Sequence, residues 1–239
     1  MSRQKIRKTL TYISFLLYPI TMFYFSPYLI IHGASRGIIT GSFIVFTALF
    51  ILSLVVGRLF CGWICPGAGM QNPLMDMGVV TKPIKKGAWI KFLVWAPWLA
   101  LLVFIFIIAG GIKKVDFFHN IGYGISITRP EAYIIYYAVI TLIIGLNLIF
   151  GKRAFCKYIC WVSPFMIIGR KLGNLIRFPA LRLKAESAKC KKCKKCNSVC
   201  PMSIDVCSHV QKGNMEDYEC TLCGSCVDNC PEKVIRYGF

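Results

Sequence analysis

The sequence predicts a membrane all-α domain of four transmembrane helices, built as two two-helix repeats, followed by a small α+β unit. Three observations carry that prediction. Of 239 residues 56% are hydrophobic and only 16% charged, with apolar runs near twenty residues long, which suits a bilayer better than one water-soluble core. The stretch FCGWICPGAG at 60–69 returns as FCKYICWVSP at 155–164, so each pair of apolar runs closes on Phe-Cys-x-x-Ile-Cys, with corresponding cysteines 95 positions apart. Nine of the thirteen cysteines crowd into the last fifty residues, a segment of different composition.

Taken in order, the expected spans are 10–31, 38–56, 88–112 and 132–150, each long enough to cross the ~30 Å hydrocarbon layer as a helix. Pro19, Pro27 and Pro97 should kink the spans that hold them. The first span follows a basic Met-Ser-Arg-Gln-Lys-Ile-Arg-Lys start, but its apolar run is too long for a signal peptide and no clear small-x-small cleavage site follows it, so it reads as a retained anchor. Domain limits follow: 1–160 for the transmembrane domain, 161–186 for a basic connecting segment and 187–239 for the tail.

Basic residues set the orientation. Arg3, Lys5, Arg7 and Lys8 precede span one, Arg58, Lys82, Lys85 and Lys86 lie between spans two and three, and Lys152, Arg153, Lys157, Arg170 and Lys171 follow span four. The positive-inside rule places these on the cytoplasmic face of a cell (inner) membrane, with several passes and both termini inside, although Arg36, Lys113, Lys114 and Arg129 fall in the opposite loops.

The net charge of +19 is uneven: residues 1–184 carry +18, residues 185–239 only +1. The excess therefore suits topology and anionic membrane lipid rather than nucleic acid. Segment 161–186 mixes Phe165, Ile167, Ile168, Leu172, Leu175 and Ile176 with Arg170, Lys171, Arg177 and Arg182; it reads either as an amphipathic helix on the inner membrane surface or as a basic linker.

On this topology nearly all cysteines face a reducing compartment, where clustered thiols are more often metal ligands than disulfides. Cys190, Cys193, Cys196 and Cys200-Pro201, then Cys220, Cys223, Cys226 and Cys230-Pro231, each spell C-x2-C-x2-C-x3-C-P. In that pattern three close thiolates hold one [4Fe-4S] cluster and the fourth reaches the other. The expected sets are Cys190, Cys193, Cys196 with Cys230, and Cys220, Cys223, Cys226 with Cys200. Zinc can occupy paired C-x2-C motifs, but two complete copies closed by C-x3-C-P favour iron–sulfur. Residues 187–239 thus resemble a bacterial-ferredoxin-like two-cluster module, which implies a small α+β unit with pseudo-two-fold symmetry. Five lysines between Ala188 and Cys196 offer either a landing face for an acidic carrier or a solvated surface balancing cluster charge. Cys207 fits no ligand spacing and is expected to be a buried structural residue.

Cys61, Cys65, Cys156 and Cys160 remain. If helices continue through their motifs, cysteines at i and i+4 share one face and each repeat offers two sulfurs to a common centre. Cβ atoms ~5–6 Å apart on a helix suit ligation better than a disulfide, which needs ~3.8 Å. A further iron–sulfur cluster at the membrane boundary, a dithiol relay, a quinone contact and plain packing all stand open.

Two-span units ending in C-x3-C-P and followed by such a tail resemble the NapH-type membrane iron–sulfur proteins, with the membrane portions of NosR and FixG/CcoG-type proteins as more distant relatives. The resemblance implies electron transfer between the quinone pool, or a membrane partner, and redox proteins such as a soluble ferredoxin, flavoprotein or reductase subunit, within a multi-subunit complex. Cys61, Cys65 and Pro66 match the first family motif and Cys156 and Cys160 the second, where Trp161 replaces proline, so the second turn could end differently. His32 and His119, at the outer side, would permit a bis-His haem but more simply are satisfied or solvent-facing histidines. Asp76, Asp116 and Glu131 are too scattered for acid–base catalysis. An electron-transfer subunit is the reading; a self-contained metal or cofactor reductase, and a membrane anchor with structural clusters, are the alternatives.

Overall fold

The computed structural model describes residues 2–239 apart from Lys85, Tyr123 and Arg129; the orientation argument at Lys85 and Arg129 therefore lies outside the described residues. In chain order the main helices are α1 (Arg3–Leu16), α2 (Pro27–Ala34), α3 (Gly41–Val56), α4 (Pro66–Asp76), α5 (Ile90–Ile108), α6 (Pro130–Phe150) and α7 (Val162–Leu175). Four short strands accompany them: β1 (Ile38–Thr40), β2 (Lys114–Asp116), β3 (Arg182–Ala185) and β4 (Ile235–Gly238).

Among the described residues α5 and α6 are the two helices long and apolar enough to cross a membrane, with mean hydropathies of 2.3 and 2.2, and only 11% of each stretch is buried. Ile107, Ile134 and Ile149 are each more than two-thirds exposed, an apolar surface far larger than water tolerates without a partner. The third apolar helix, α3, has 16 residues. Thr40 caps its start by accepting from the Phe43 N–H, and Gly57 ends it at φ +54°, a conformation a side chain would oppose.

The expected first span is not one helix. Pro19 and Pro27 lack the N–H that would continue the ladder. The chain leaves α1 at Leu17, makes a turn at Tyr18–Thr21 and a 3-10 turn at Met22–Phe25, and restarts as α2 behind the Ser26 cap. Carbonyls freed by the breaks find donors elsewhere: Ile127 N–H donates to Pro19 O and Ser126 N–H to Ile20 O, both at 3.2 Å. Ser42 Oγ lies 2.9–3.1 Å from the carbonyls of Phe23, Tyr24 and Ser26. Such substitution is what allows proline breaks inside apolar surroundings.

The two cysteine motifs are joined by a reciprocal packing. The helix after the second motif, α7, lies along α3, which precedes the first; α4, which follows the first motif, packs on α6, which precedes the second, and on α1. Glycines make the approach possible: a Cβ at Gly169 would collide with Ser53 Oγ and one at Gly69 with the Thr11 carbonyl. Segment 161–186 is therefore not a loose linker: residues Val162–Leu175 form the helix that its amphipathic pattern allowed, and one side of it packs on α3. Its apolar and small-residue face, with Met166 and Ser163 fully buried, is spent on α3.

The tail starts earlier than residue 187, because β3 pairs antiparallel with β4 from Arg182↔Gly238 to Ala185↔Ile235. Its internal symmetry is visible in the backbone. Left-handed residues recur 30 positions apart, Lys192 with Leu222, Lys194 with Gly224 and Ser203 with Lys233, and one-turn helices follow at Lys195–Ser198 and Ser225–Asp228. The tail is fastened to the helices. Glu219 accepts from Arg58 at 2.9 Å and Lys91 at 2.5 Å, Glu216 pairs with Arg170 at 2.9 Å, and Arg3 at the start of α1 pairs with Asp228. The N-terminus and the tail thus share one end of the molecule, opposite the β1–β2 pair.

Candidate functional site

All thirteen cysteines line three cavities, four in each of two and five in the third. One is ringed by Cys61, Cys65, Cys156 and Cys160, a second by Cys200, Cys220, Cys223 and Cys226, and a third by Cys190, Cys193, Cys196, Cys207 and Cys230. The second grouping, and the third without Cys207, have the membership of the crossed sets expected from spacing.

At the first of these, the boundary cavity between the two repeats, the sulfurs do not converge by sharing a helix face. The one-turn helix Leu59–Trp63 ends at Ile64 (φ −125°, ψ −24°), and Ala154–Tyr158 ends at Ile159 (φ −122°, ψ −26°). In each copy two successive N–H groups donate to one carbonyl: Ile64 and Cys65 to Phe60 O, Ile159 and Cys160 to Phe155 O. The first cysteine therefore sits on a single helical turn and the second opens the next helix. There the Ala68 N–H donates to Cys65 O at 3.0 Å and Ser163 Oγ to Cys160 O at 3.3 Å, so both cysteines stand at a helix start, the ordinary place for an anion. Despite Trp161 in place of proline, the second turn repeats the first, and Trp161 is held by donating from Nε1 to Phe25 O at 2.7 Å.

Burial raises the Cys65 thiol well above its usual range, and the negative charge of Cys61, Cys156 and Cys160 adds to it; burial, then Cys156 and Cys61, raises Cys160 to about 12. Such thiols become ligands only where a cationic centre displaces their protons. The surroundings are already positive. Arg58 and Arg153, 2% and 0% exposed, both face Cys61, and the Nε of each has no hydrogen-bond partner among the described residues. Arg153 is bound only to neutral oxygens, Cys61 O at 3.2 Å and Asn72 Oδ1 at 2.8 Å, and Gln71 Nε2 donates to Cys156 Sγ at 3.2 Å. Buried cations without carboxylates are costly unless an anionic group lies beside them. A thiolate-ligated cluster is such a group, so the residues fit one. Arg58 and Arg153 had counted in the sequence only as topology signals, and nothing in the pattern marked Gln71.

In the tail, burial pushes Cys200 up to about 11 and Cys226 up to about 12. No cysteine forms a disulfide. Among the described residues no three His, Cys, Asp or Glu side chains stand close enough to hold a single metal ion. A tetrahedral zinc draws its sulfurs to within about 3.8 Å of one another, so these rings suit a larger inorganic core. Lys192, Lys194, Leu222 and Gly224 all have left-handed backbones, the conformation from which anion-binding nests are built. Cys207 is 2% exposed, lines the third cavity, and accepts from Gln211 Nε2 at 3.3 Å.

The two tail motifs differ in setting. The 190–195 loop is exposed except for half-buried Cys190, whereas 221–226 is buried against the helices. Trp63 Nε1 donates to Leu222 O at 3.1 Å and Gln4 Nε2 to Cys223 O at 3.0 Å; a Cβ at Gly62 would strike the Thr221 carbonyl. The second cavity therefore adjoins the boundary cavity, and the third lies beyond it. At the far end of the molecule His32 Nδ1 and His119 Nε2 are 3.2 Å apart, facing each other directly and leaving no gap for a macrocycle.

Comparison with known proteins defines the class first. Residues 38–84 and again 133–179 match a 4Fe-4S binding domain, and residues 189–235 match a 4Fe-4S dicluster domain. The chain is an iron–sulfur protein with 4Fe-4S domains in both its helical part and its tail. The repeat so defined is helix, cysteine motif, helix, placing α7 inside the second unit. Among particular relatives, it is 26% identical to the uncharacterized protein MJ0749 of Methanocaldococcus jannaschii over 98% of this chain and 85% of that one. It is 26% identical to MJ0750 of the same organism over 80% and 76%. It is also 23% identical to YccM of Escherichia coli K12, provisionally named an electron transport protein, over 85% of this chain and 57% of that longer one. No solved structure matches.

Proposed function

We propose that this chain is a membrane-bound electron-transfer subunit that links the quinone pool, or a membrane redox partner, to redox proteins on the tail side. The observation that carries the reading is the row of three cavities, each lined by at least four cysteines, running from the helical domain to the exposed face of the tail. Each set would hold a [4Fe-4S] cluster, which takes up and gives back one electron at a time.

The residues divide the work. Cys61, Cys65, Cys156 and Cys160 ligate the boundary cluster, with Arg58, Arg153 and the starts of α4 and α7 compensating its charge. Gly62 lets the Thr221 peptide close against the first motif, and Trp63 and Gln4 hold that peptide, so the set Cys200, Cys220, Cys223 and Cys226 receives or supplies electrons next. Cys190, Cys193, Cys196 and Cys230 form the outermost set. Tyr18, Phe25 and Val139 give the boundary cavity an apolar wall facing the helices, where a quinone headgroup could approach from lipid. The exposed faces of α5 and α6 meet lipid, the broken segment from α1 to α2 together with α3 completes a four-pass bundle in the inner membrane, and both termini lie in the cytoplasm beside the basic loops.

The test is iron and acid-labile sulfide on full-length protein purified without oxygen. Three clusters give about 12 irons per chain, and Cys61→Ala or Cys160→Ala lowers this to about eight. About eight irons in the unaltered chain, indifferent to those substitutions, would remove the boundary cluster from the scheme.

A further inference from the structure

We propose that the exposed 190–196 loop is the docking face for a small acidic electron-carrier protein. This rests on the electron-transfer reading above and adds the partner's chemistry and its place of contact.

The two cluster-binding loops share one backbone but have opposite surroundings. Where the inward loop carries Thr221, Leu222, Gly224 and Ser225, all buried, the outward loop carries Lys191, Lys192, Lys194 and Lys195, all exposed. Lys189 and Lys191 have carboxylate partners, Glu186 at 2.6 Å and Glu232 at 2.7 Å. Among the described residues Lys192, Lys194 and Lys195 have none within ion-pair distance. Lys194 occupies a left-handed position, φ +57°, that the sister loop gives to Gly224 at φ +74°. Lysine is thus kept where the backbone favours glycine. Cys193, between these lysines, is exposed, so a partner seated on them comes within contact of the outermost cluster set. Surface positive charge of this density steers and orients an oppositely charged protein. Anionic lipid would be attracted by the same lysines, but a lipid has no use for an exposed cysteine ligand, which favours the protein.

The experiment places the full chain in neutral phosphatidylcholine nanodiscs, with iron and sulfide measured, and titrates oxidised flavodoxin at about 50 and 300 mM salt. The unaltered chain should bind and lose at least about tenfold affinity at the higher salt. The variant Lys192→Glu/Lys194→Glu/Lys195→Glu should lose at least about tenfold at low salt with iron content unchanged, while Lys184→Glu/Lys212→Glu stays within about twofold. Equal affinity in the triple variant, equal loss in the control, no binding by the unaltered chain, or a defect seen only with anionic vesicles would overturn the assignment. Missing iron in the unaltered chain would instead strike at the electron-transfer reading.

Discussion

Glu219→Gln should loosen the tail from the helical domain. This carboxylate accepts from both Arg58 and Lys91, whose side chains are 2% and 0% exposed, while its own is 16% exposed. Removing one partner of a buried ion pair costs about 3–5 kcal/mol, because the other charge stays behind in a poor solvent. Glu219 keeps some water and the two cations share one acceptor, so the lower end, about 3 kcal/mol, is the expectation. At 1.4 kcal/mol per tenfold, the junction should open roughly a hundredfold more often. Hydrogen exchange of the amides of residues 219–223, in anaerobic micelles with iron content checked, reads that opening directly. The comparison is Glu232→Gln, which breaks the Lys191 pair, where the lysine side chain is 74% exposed; that change should cost less than about 1 kcal/mol. Equal protection in the two variants would refute the burial argument.

Gly62→Ala should cost about 1–3 kcal/mol, since its Cβ meets the Thr221 backbone and no flexible side chain can yield, whereas Gly67→Ala, with Cys65 Sγ 3.7 Å away, should change the melting temperature less. Cys200→Ala should alter the spectrum of the cluster held by Cys220, Cys223 and Cys226 and spare the other; the reverse result would reject the crossed assignment. Cys207→Ala should lower stability by about 1 kcal/mol without loss of iron or sulfide, and a lost cluster would make Cys207 a ligand. A reporter fused after Phe239 should work only as a cytoplasmic fusion, and activity outside would invert the proposed topology.

The tail cysteines were legible because ligand spacing is a local property of the chain. Grouping the four boundary cysteines was also legible, from repetition, but the means was not: the sulfurs meet because the chain turns at Ile64 and Ile159, which a helical period cannot show. Residues 161–186 were legible as an amphipathic helix but not in their packing, because such a pattern reports an apolar face without reporting what covers it, and Gly169 and Gly173 bring that helix close to α3. Charge counting was similarly blind, since Arg58 and Arg153 add to the same total as solvated lysines although both are buried beside cysteines. The broken first span was half visible in Pro19 and Pro27; that residues 126–127 would supply the missing donors depends on a loop more than a hundred residues away.

The reciprocal packing of the two repeats has a consequence in time. Helix α3 leaves the ribosome about 100 residues before α7, the helix that covers its small-residue face, is made. At ordinary synthesis rates that is a wait of roughly 5–20 s, during which Ser53 and the carbonyls around it lack the helix that covers them in the finished fold. Cys61 and Cys65 spend the same interval without Cys156 and Cys160. Under the proposed function, loading of the site between the repeats waits until the second half is in place, and a chain stalled between the halves would offer it only two of its four cysteines.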